Sequence, residues 1–213
     1  MIRINIVTEG RTEEKFVTNV LSPYLADKEI FLTPRNIGRG NSYDKIKFNV
    51  IQWLKEDQTA WVTTMFDLYG QNDSFPGYLE NKNKNPYEKI IAIESAFKAD
   101  IDAENLENWK FIPYFQLHEF EAYLFSDTLI MESWLNLDYT FQTGSFQQIR
   151  DQFDSPEHIN DSVLTAPSKR ILSIIPSYSK VADGVLISED IGIDKIRQEC
   201  RHFNEWLTNI ENL

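Results

Sequence analysis

Cysteine is almost missing from this 213-residue chain. The single Cys200 excludes an intrachain disulfide and any multi-cysteine metal cluster. Long apolar runs are missing too: none approaches the ~20 residues that a membrane helix needs. The N-terminus enters a strand directly, without the basic-then-apolar plan of a signal peptide. A cytoplasmic protein with no membrane association is therefore expected. Neither a G-x-G-x-x-G nor a G-x-x-x-x-G-K-[ST] phosphate loop occurs, which weighs against a nucleotide-binding α/β domain. Positive charge is scarce. Lys and Arg number 21 against 33 Asp and Glu, a net charge of −12. General coating of DNA is excluded, because phosphate binding leaves a basic footprint. Nucleic acid is then reached through a local patch, or through metal ions that offset carboxylates. An acidic surface also suits a basic partner protein.

What is present is the composition of a folded α/β protein, 42% hydrophobic and 25% charged. Ile2, Ile4 and Ile6 alternate with polar residues and read as a buried strand, closed by Gly10. A helix is expected from Thr12 to Ala26, kinked or ended early by Pro23. Glu29–Thr33 reads as a short strand, and 34–42 as a loop. Tyr43–Glu56 is a second helix. Thr59–Asp67 is a nearly continuous apolar and β-branched run, as in a central strand covered on both faces. The polar stretch 70–86 is expected to be a mobile lid. Tyr87–Ile101 reads as a helix and Trp109–Leu117 as a fourth strand. Beyond Ser126 the pattern is helical, at 129–135, 145–153, from Thr165, and along the stripe Ile193, Ile196, Cys200, Phe203, Leu207 and Ile210. Cys200, Phe203 and Trp206 are expected in the core. The division is an α/β core over 1–126 and a helical appendage over 127–213 packed on it.

The order βαβαβαβα points to a mostly parallel, four-stranded sheet with helices on its faces. Right-handed crossovers bring successive strand ends to one edge, the edge where α/β folds bind ligands. Glu9, Asp67 and the pair Glu119/Glu121 each follow a strand, so their carboxylates should converge. Such a set suits Mg²⁺ or Mn²⁺, which take oxygen ligands and leave room for water and phosphate. If the segment around Glu119 is extended, both of its acids share a face; if helical, they lie ~200° apart. Glu119 is placed at the sheet edge, with Glu121 close behind. Lys169, Arg170 and Lys180 are candidates to bind phosphate or a charged transition state. Arg35, Arg39 and Lys45 are candidates to touch a substrate backbone. His118 is read as a strand-end histidine that orients a neighbour, with proton transfer or metal ligation as the alternative.

Thr8-Glu9-Gly10-Arg11-Thr12-Glu13-Glu14 resembles the opening glutamate motif of the TOPRIM fold of topoisomerases, primases and overcoming-lysogenization-type nucleases. More closely, four segments resemble the TOPRIM-like domain-of-unknown-function family 4276. They are Glu9-Gly10-x-Thr12-Glu13, Met65-Phe66-Asp67-Leu68-Tyr69-Gly70, His118-Glu119-Phe120-Glu121-Ala122 and Pro167-Ser168-Lys169-Arg170. The ending Cys200-Arg201-His202-Phe203-Asn204-Glu205-Trp206-Leu207 does so as well. The resemblance implies a TOPRIM-like, Rossmann-like core and a metal-dependent nuclease role, in a bacterial or phage-defence setting beside an ATPase partner. On that footing Glu9 is base or metal ligand, Asp67 and Glu119 are ligands, and Lys169 or Arg170 clamps phosphate. The TOPRIM third-strand motif is Asp-x-Asp, whereas this chain has Asp67-Leu68-Tyr69. Either Glu119 or Glu121 replaces the second acid, or metal binding is weakened or lost. In the latter case the chain is a non-cleaving partner that docks an ATPase.

Overall fold

The strand with the cleanest alternation takes an inner place in the sheet. In a computed structural model, which describes all residues except 39, 41, 69–72, 105–109 and 161–164, the sheet is parallel with the order β2-β1-β3-β4. Here β1 is Ile2–Thr8, β2 is Ile30–Asn36, β3 is Trp61–Asp67 and β4 is Phe111–Ile112. A further short strand, β5 (Phe115–Gln116), continues the line of β4 and also pairs with β3. The expected fourth strand is thus split, and Pro113 is the reason: it has no N–H for the ladder. Threonines of β3 bridge the gap. Thr63 Oγ1 donates to the Ile112 carbonyl, while Thr64 Oγ1 donates to the Tyr114 carbonyl and accepts from its N–H.

Alternation along β1 and β3 sends successive side chains to opposite faces. Val7, Val62 and Phe66 face one core with α3 (Tyr43–Glu56) and α4 (Pro86–Asp102). Ile4, Ile6 and Met65 face the other, with the first helical run and the helices beyond residue 126. Phe16 shows how the two chain halves share this second core. Its ring is fully buried and meets Phe120, Tyr123 and Phe203 at centroid distances of 5.3, 5.8 and 6.3 Å. Truncating such a side chain costs about 3–5 kcal/mol. Cys200 and Phe203 are fully buried and Trp206 nearly so; the Trp206 indole N–H donates to Thr63 Oγ1 at 3.0 Å.

Several expectations need correction. The first helix is not ended by Pro23. It runs as α1 (Arg11–Phe16), a wide π turn (Val17–Leu21) and α2 (Ser22–Ala26), and the extra residue of the π turn absorbs the proline. β2 continues through Pro34 because it is an edge strand, where a missing N–H faces no neighbour. The stretch expected to form a mobile lid is pinned within 73–85: the Phe75 ring is buried among Tyr43, Phe97 and Phe115. Residues 70–72 lie outside the described residues. The C-terminal stripe is two helices, α9 (Ile193–Glu199) and α10 (Arg201–Glu211), hinged at an extended Cys200. Before them come α5 (Thr128–Asp138), α6 (Ser145–Arg150), α7 (Pro167–Ile174) and α8 (Val185–Ile191). No helix among the described residues is long and apolar enough to cross a membrane.

Candidate active site

Asp67 ends β3, two positions after Met65, so it points to the face that α1 covers. The chain leaves β1 through an extended Gly10 and starts α1 at Arg11. Glu13 then lies in the first turn, where an acid is favoured by the exposed N–H groups, and is turned inward and buried. After β5, Glu119 stays extended and caps a 3-10 turn, Phe120–Ser126, whose first turn carries Glu121. Far along the chain, the Ser179 hydroxyl accepts from Ala182 N–H and opens a second π turn, Lys180–Gly184, ahead of α8. Four separate segments thereby meet at the carboxyl edge of the sheet.

At the centre is the Lys180 ammonium. It lies 3.1 Å from Glu121, 3.3 Å from Glu13 and 3.6 Å from Asp67, with the Phe120 ring centroid at 5.8 Å. Burial opposes the charge on Lys180, but Asp67, Glu121 and Glu13 overcome this and raise its pKa, so it stays protonated. Burial pushes the Asp67 carboxyl up to about 8. Lys180 pulls it back, and Glu13, Glu121 and Glu119 push it further up. Glu121 is raised for the same reason, by burial first, against Lys180 and with Glu119. Three carboxylates crowded together in a dry place resist ionising jointly.

One lysine does not satisfy this many acceptors. Glu13 Oε2 and Asp67 Oδ1 are buried without a hydrogen bond, and Glu121 Oε2 has the Lys180 ion pair but no well-directed hydrogen bond. The buried hydroxyls of Thr8, Thr12 and Tyr178 are also unmatched. So is the whole amide of Gln116, which is registered opposite Asp67 on β5 and shares its face. Native proteins rarely leave buried polar atoms unmatched, so this density of them marks a place built for something other than stability. Tyr178 reaches in because residue 184 is glycine: a Cβ there would stand 2.7 Å from its hydroxyl and 3.2 Å from the Phe120 ring.

Of the residues singled out from sequence, Asp67, Glu121 and Lys180 meet directly. Glu119 turns aside: its carboxylate accepts from Ser168 N–H at 3.1 Å, capping α7, while still acting electrostatically on Asp67 and Glu121. Glu9 follows the last residue of β1 on the same edge and is half-buried. Lys169 is exposed, and Arg170 is tied to the Thr165 carbonyl and lies over the Phe153 ring, so neither reaches this cluster in the way Lys180 does. Arg39 lies outside the described residues. Arg35 is held by Asn5 Oδ1. His118 is buried, and burial lowers its pKa to about 4, leaving a neutral ring. Sequence reasoning gave no role to Glu13, Gln116 or Tyr178. Glu13 had a signal, since it sits in the quoted motif one helical turn after Glu9; Gln116 and Tyr178 had none.

A divalent ion is the group that the motif resemblance leads one to expect here. The donor chemistry suits one: hard carboxylate and hydroxyl oxygens with lone pairs to spare. Among the described residues, however, no set of three or more Asp, Glu, His or Cys is disposed to hold an ion as it stands. The ammonium of Lys180 lies between them. A cation taking this place would have to displace that ammonium.

A family model described as a domain of unknown function, DUF4276, matches residues 8–211. A search of curated proteins gives no match. Among solved structures, the C-terminal region of the Burkholderia pseudomallei OLD protein is similar in fold. The TM-score is 0.50 at 13% identity, over 98% of this chain and 97% of that one. The fold is TOPRIM-like α/β, as the sequence motifs led one to expect.

Proposed function

We propose that this chain, which belongs to the DUF4276 family, is a divalent-cation-dependent phosphodiester hydrolase acting on nucleic acid, that is, a nuclease. The observation that carries this reading is the meeting of Glu13, Asp67 and Glu121 around Lys180 with carboxyl oxygens left over. Asp67 and Glu121 would hold Mg²⁺ or Mn²⁺, with Glu13 beside them and Glu9 and Glu119 at the rim. The ion would supply an activated water and a counter-charge for the leaving oxygen. Lys180 balances the acids in the resting site. When a phosphate enters, its ammonium is the donor within reach to turn onto a non-bridging oxygen and stabilise the charge that grows there. The clamp role expected of Lys169 or Arg170 thus passes to Lys180. Glu9, half-buried just after β1, would take the proton of an attacking water. A bacterial or phage-defence setting and an ATPase partner belong to the same proposal, on the family resemblance.

One observation favours the second reading, a non-cleaving partner of an ATPase: Lys180 already neutralises part of the cluster without any metal. Two measurements on the purified chain separate the two. Mn²⁺ binding is followed by electron paramagnetic resonance, and cleavage of single- and double-stranded DNA and RNA is followed with Mn²⁺ or Mg²⁺. Under the hydrolase reading Mn²⁺ binds, and Asp67→Asn and Glu121→Gln each lose binding and about 100-fold or more in cleavage. Unbound Mn²⁺ with no cleavage, or equal cleavage by all three proteins, overturns it.

A further inference from the structure

A second cleft is lined by charge of the opposite sign. It has a volume of about 170 Å³ and is lined by Leu68, Tyr78, Lys82, Lys84, Pro86, Lys89, His118 and Asn160. Two strand ends tie it to the proposed site. Leu68 follows Asp67, and His118 precedes Glu119, so the two places share the segments that leave β3 and β5, while Leu68 and Tyr78 pack with the core on the other face of the sheet. In a chain with a net charge of −12, three lysines here are in no ion pair with a carboxylate among the described residues. Among the described residues Lys15, Lys45, Lys55 and Lys169 are likewise in no such pair, so what sets these three apart is that they line one cleft. The Lys89 ammonium is instead held over the Tyr78 ring, 3.8 Å from its centroid, and stays half-buried at the wall. The segment that carries Lys82 and Lys84 is pinned through buried Phe75, so these two charges are presented from an anchored turn.

We propose that this cleft takes a phosphate of a nucleic-acid backbone, next to the one that enters the carboxylate cluster. Three ammonium groups at one mouth favour a polyanion, and the volume admits a single phosphodiester unit rather than a duplex groove. This also answers how so acidic a protein meets DNA or RNA: the attraction is local, on one side of the cluster. The inference rests on the hydrolase reading for the choice of ligand, but its test does not use cleavage.

The test is binding of a fluorescent single-stranded oligonucleotide in EDTA, by anisotropy, across a salt series. The full-length wild type is compared with Lys82→Gln/Lys84→Gln/Lys89→Gln and with a charge-matched control, Lys15→Gln/Lys55→Gln/Lys98→Gln. The cleft variant should bind at least about tenfold more weakly, with the log–log salt slope flattened by about 0.7, as one lost single-strand phosphate contact requires. The control should stay within about twofold of wild type. Equal weakening of the two variants, no oligonucleotide binding by the wild type, or lysine-dependent binding of inorganic phosphate alone would overturn the proposal. Lysine-dependent binding by a protein that never cleaves would sustain the cleft while sinking the hydrolase reading.

Discussion

Among the described residues four glutamates are almost wholly buried, and they fall into two pairs that the chain treats in opposite ways. Glu157 accepts from His202 and Phe203 N–H at 2.9 and 3.0 Å, at the start of α10. Glu132 accepts from Gly144 and Phe146 N–H at 2.7 and 3.0 Å, at the start of α6. Each closes a helix end that would otherwise bury unpaired donors. Glu13 and Glu121 are as deeply buried, yet among the described residues no pair of N–H groups from a helix end answers them, and both turn to the shared Lys180. Burial of an acid is thus a stability device where backbone donors answer it. Where only one ammonium is shared among three acids, the arrangement is strained in charge, which is what a site that must accept a cation and a phosphate requires.

The comparison can be broken by substitution. Lys180→Met should have the largest effect, about 3–5 kcal/mol of lost stability at neutral pH, because it strands a set of buried acids. The loss should shrink as pH falls, because Asp67 and Glu121, both raised by burial, take up protons, and grow toward pH 8; urea titrations across that range check it. Added Mn²⁺ should recover part of the loss under the hydrolase reading. Next comes Glu157→Ala, at about 2–3 kcal/mol, because two buried N–H groups lose their acceptor. It should leave Mn²⁺ binding unchanged. A Glu157→Ala protein that is as stable as wild type would erase the distinction between the pairs.

Asp67→Asn should act in the other direction. A carboxyl raised to about 8 in the folded chain binds its proton more tightly there than when unfolded. Its contribution therefore falls as pH rises from about 4 toward 8. The Asn variant should lose that slope and gain on the order of 1 kcal/mol at pH 8, with no gain near pH 4. The subtlest effect is on metal affinity. An ion at Asp67 must displace this proton, so Mn²⁺ affinity should climb by up to tenfold per pH unit below about 8 and level off above it. Flat affinity from pH 6 to 8 would place the ion away from Asp67.

Much of the frame was readable from side-chain order. The 2-residue period of β1 and the run into Asp67 gave the parallel sheet and its carboxyl edge, and the apolar stripe after Ile193 gave the packed C-terminal helices. The departures were places where one residue's demand was answered from far away. Pro113 split a strand, and threonine hydroxyls from β3 closed the gap. Pro23 was accommodated by a π turn rather than a helix end. Phe75, in a stretch otherwise polar, found a core to enter.

By itself, then, the order of residues determined which elements form and that Asp67 and Glu121 stand at one edge, because strand period and crossover hand are local rules. Only the tertiary structure decided which charges share that edge. In sequence Glu13 is marked only by its place in the opening motif, and nothing there tells whether Glu119 caps a helix or binds a metal, or whether Lys180 is buried or on the surface. Their roles come from packing between distant segments, where low dielectric makes a few ångströms decide whether a charge is paired, stranded or neutral.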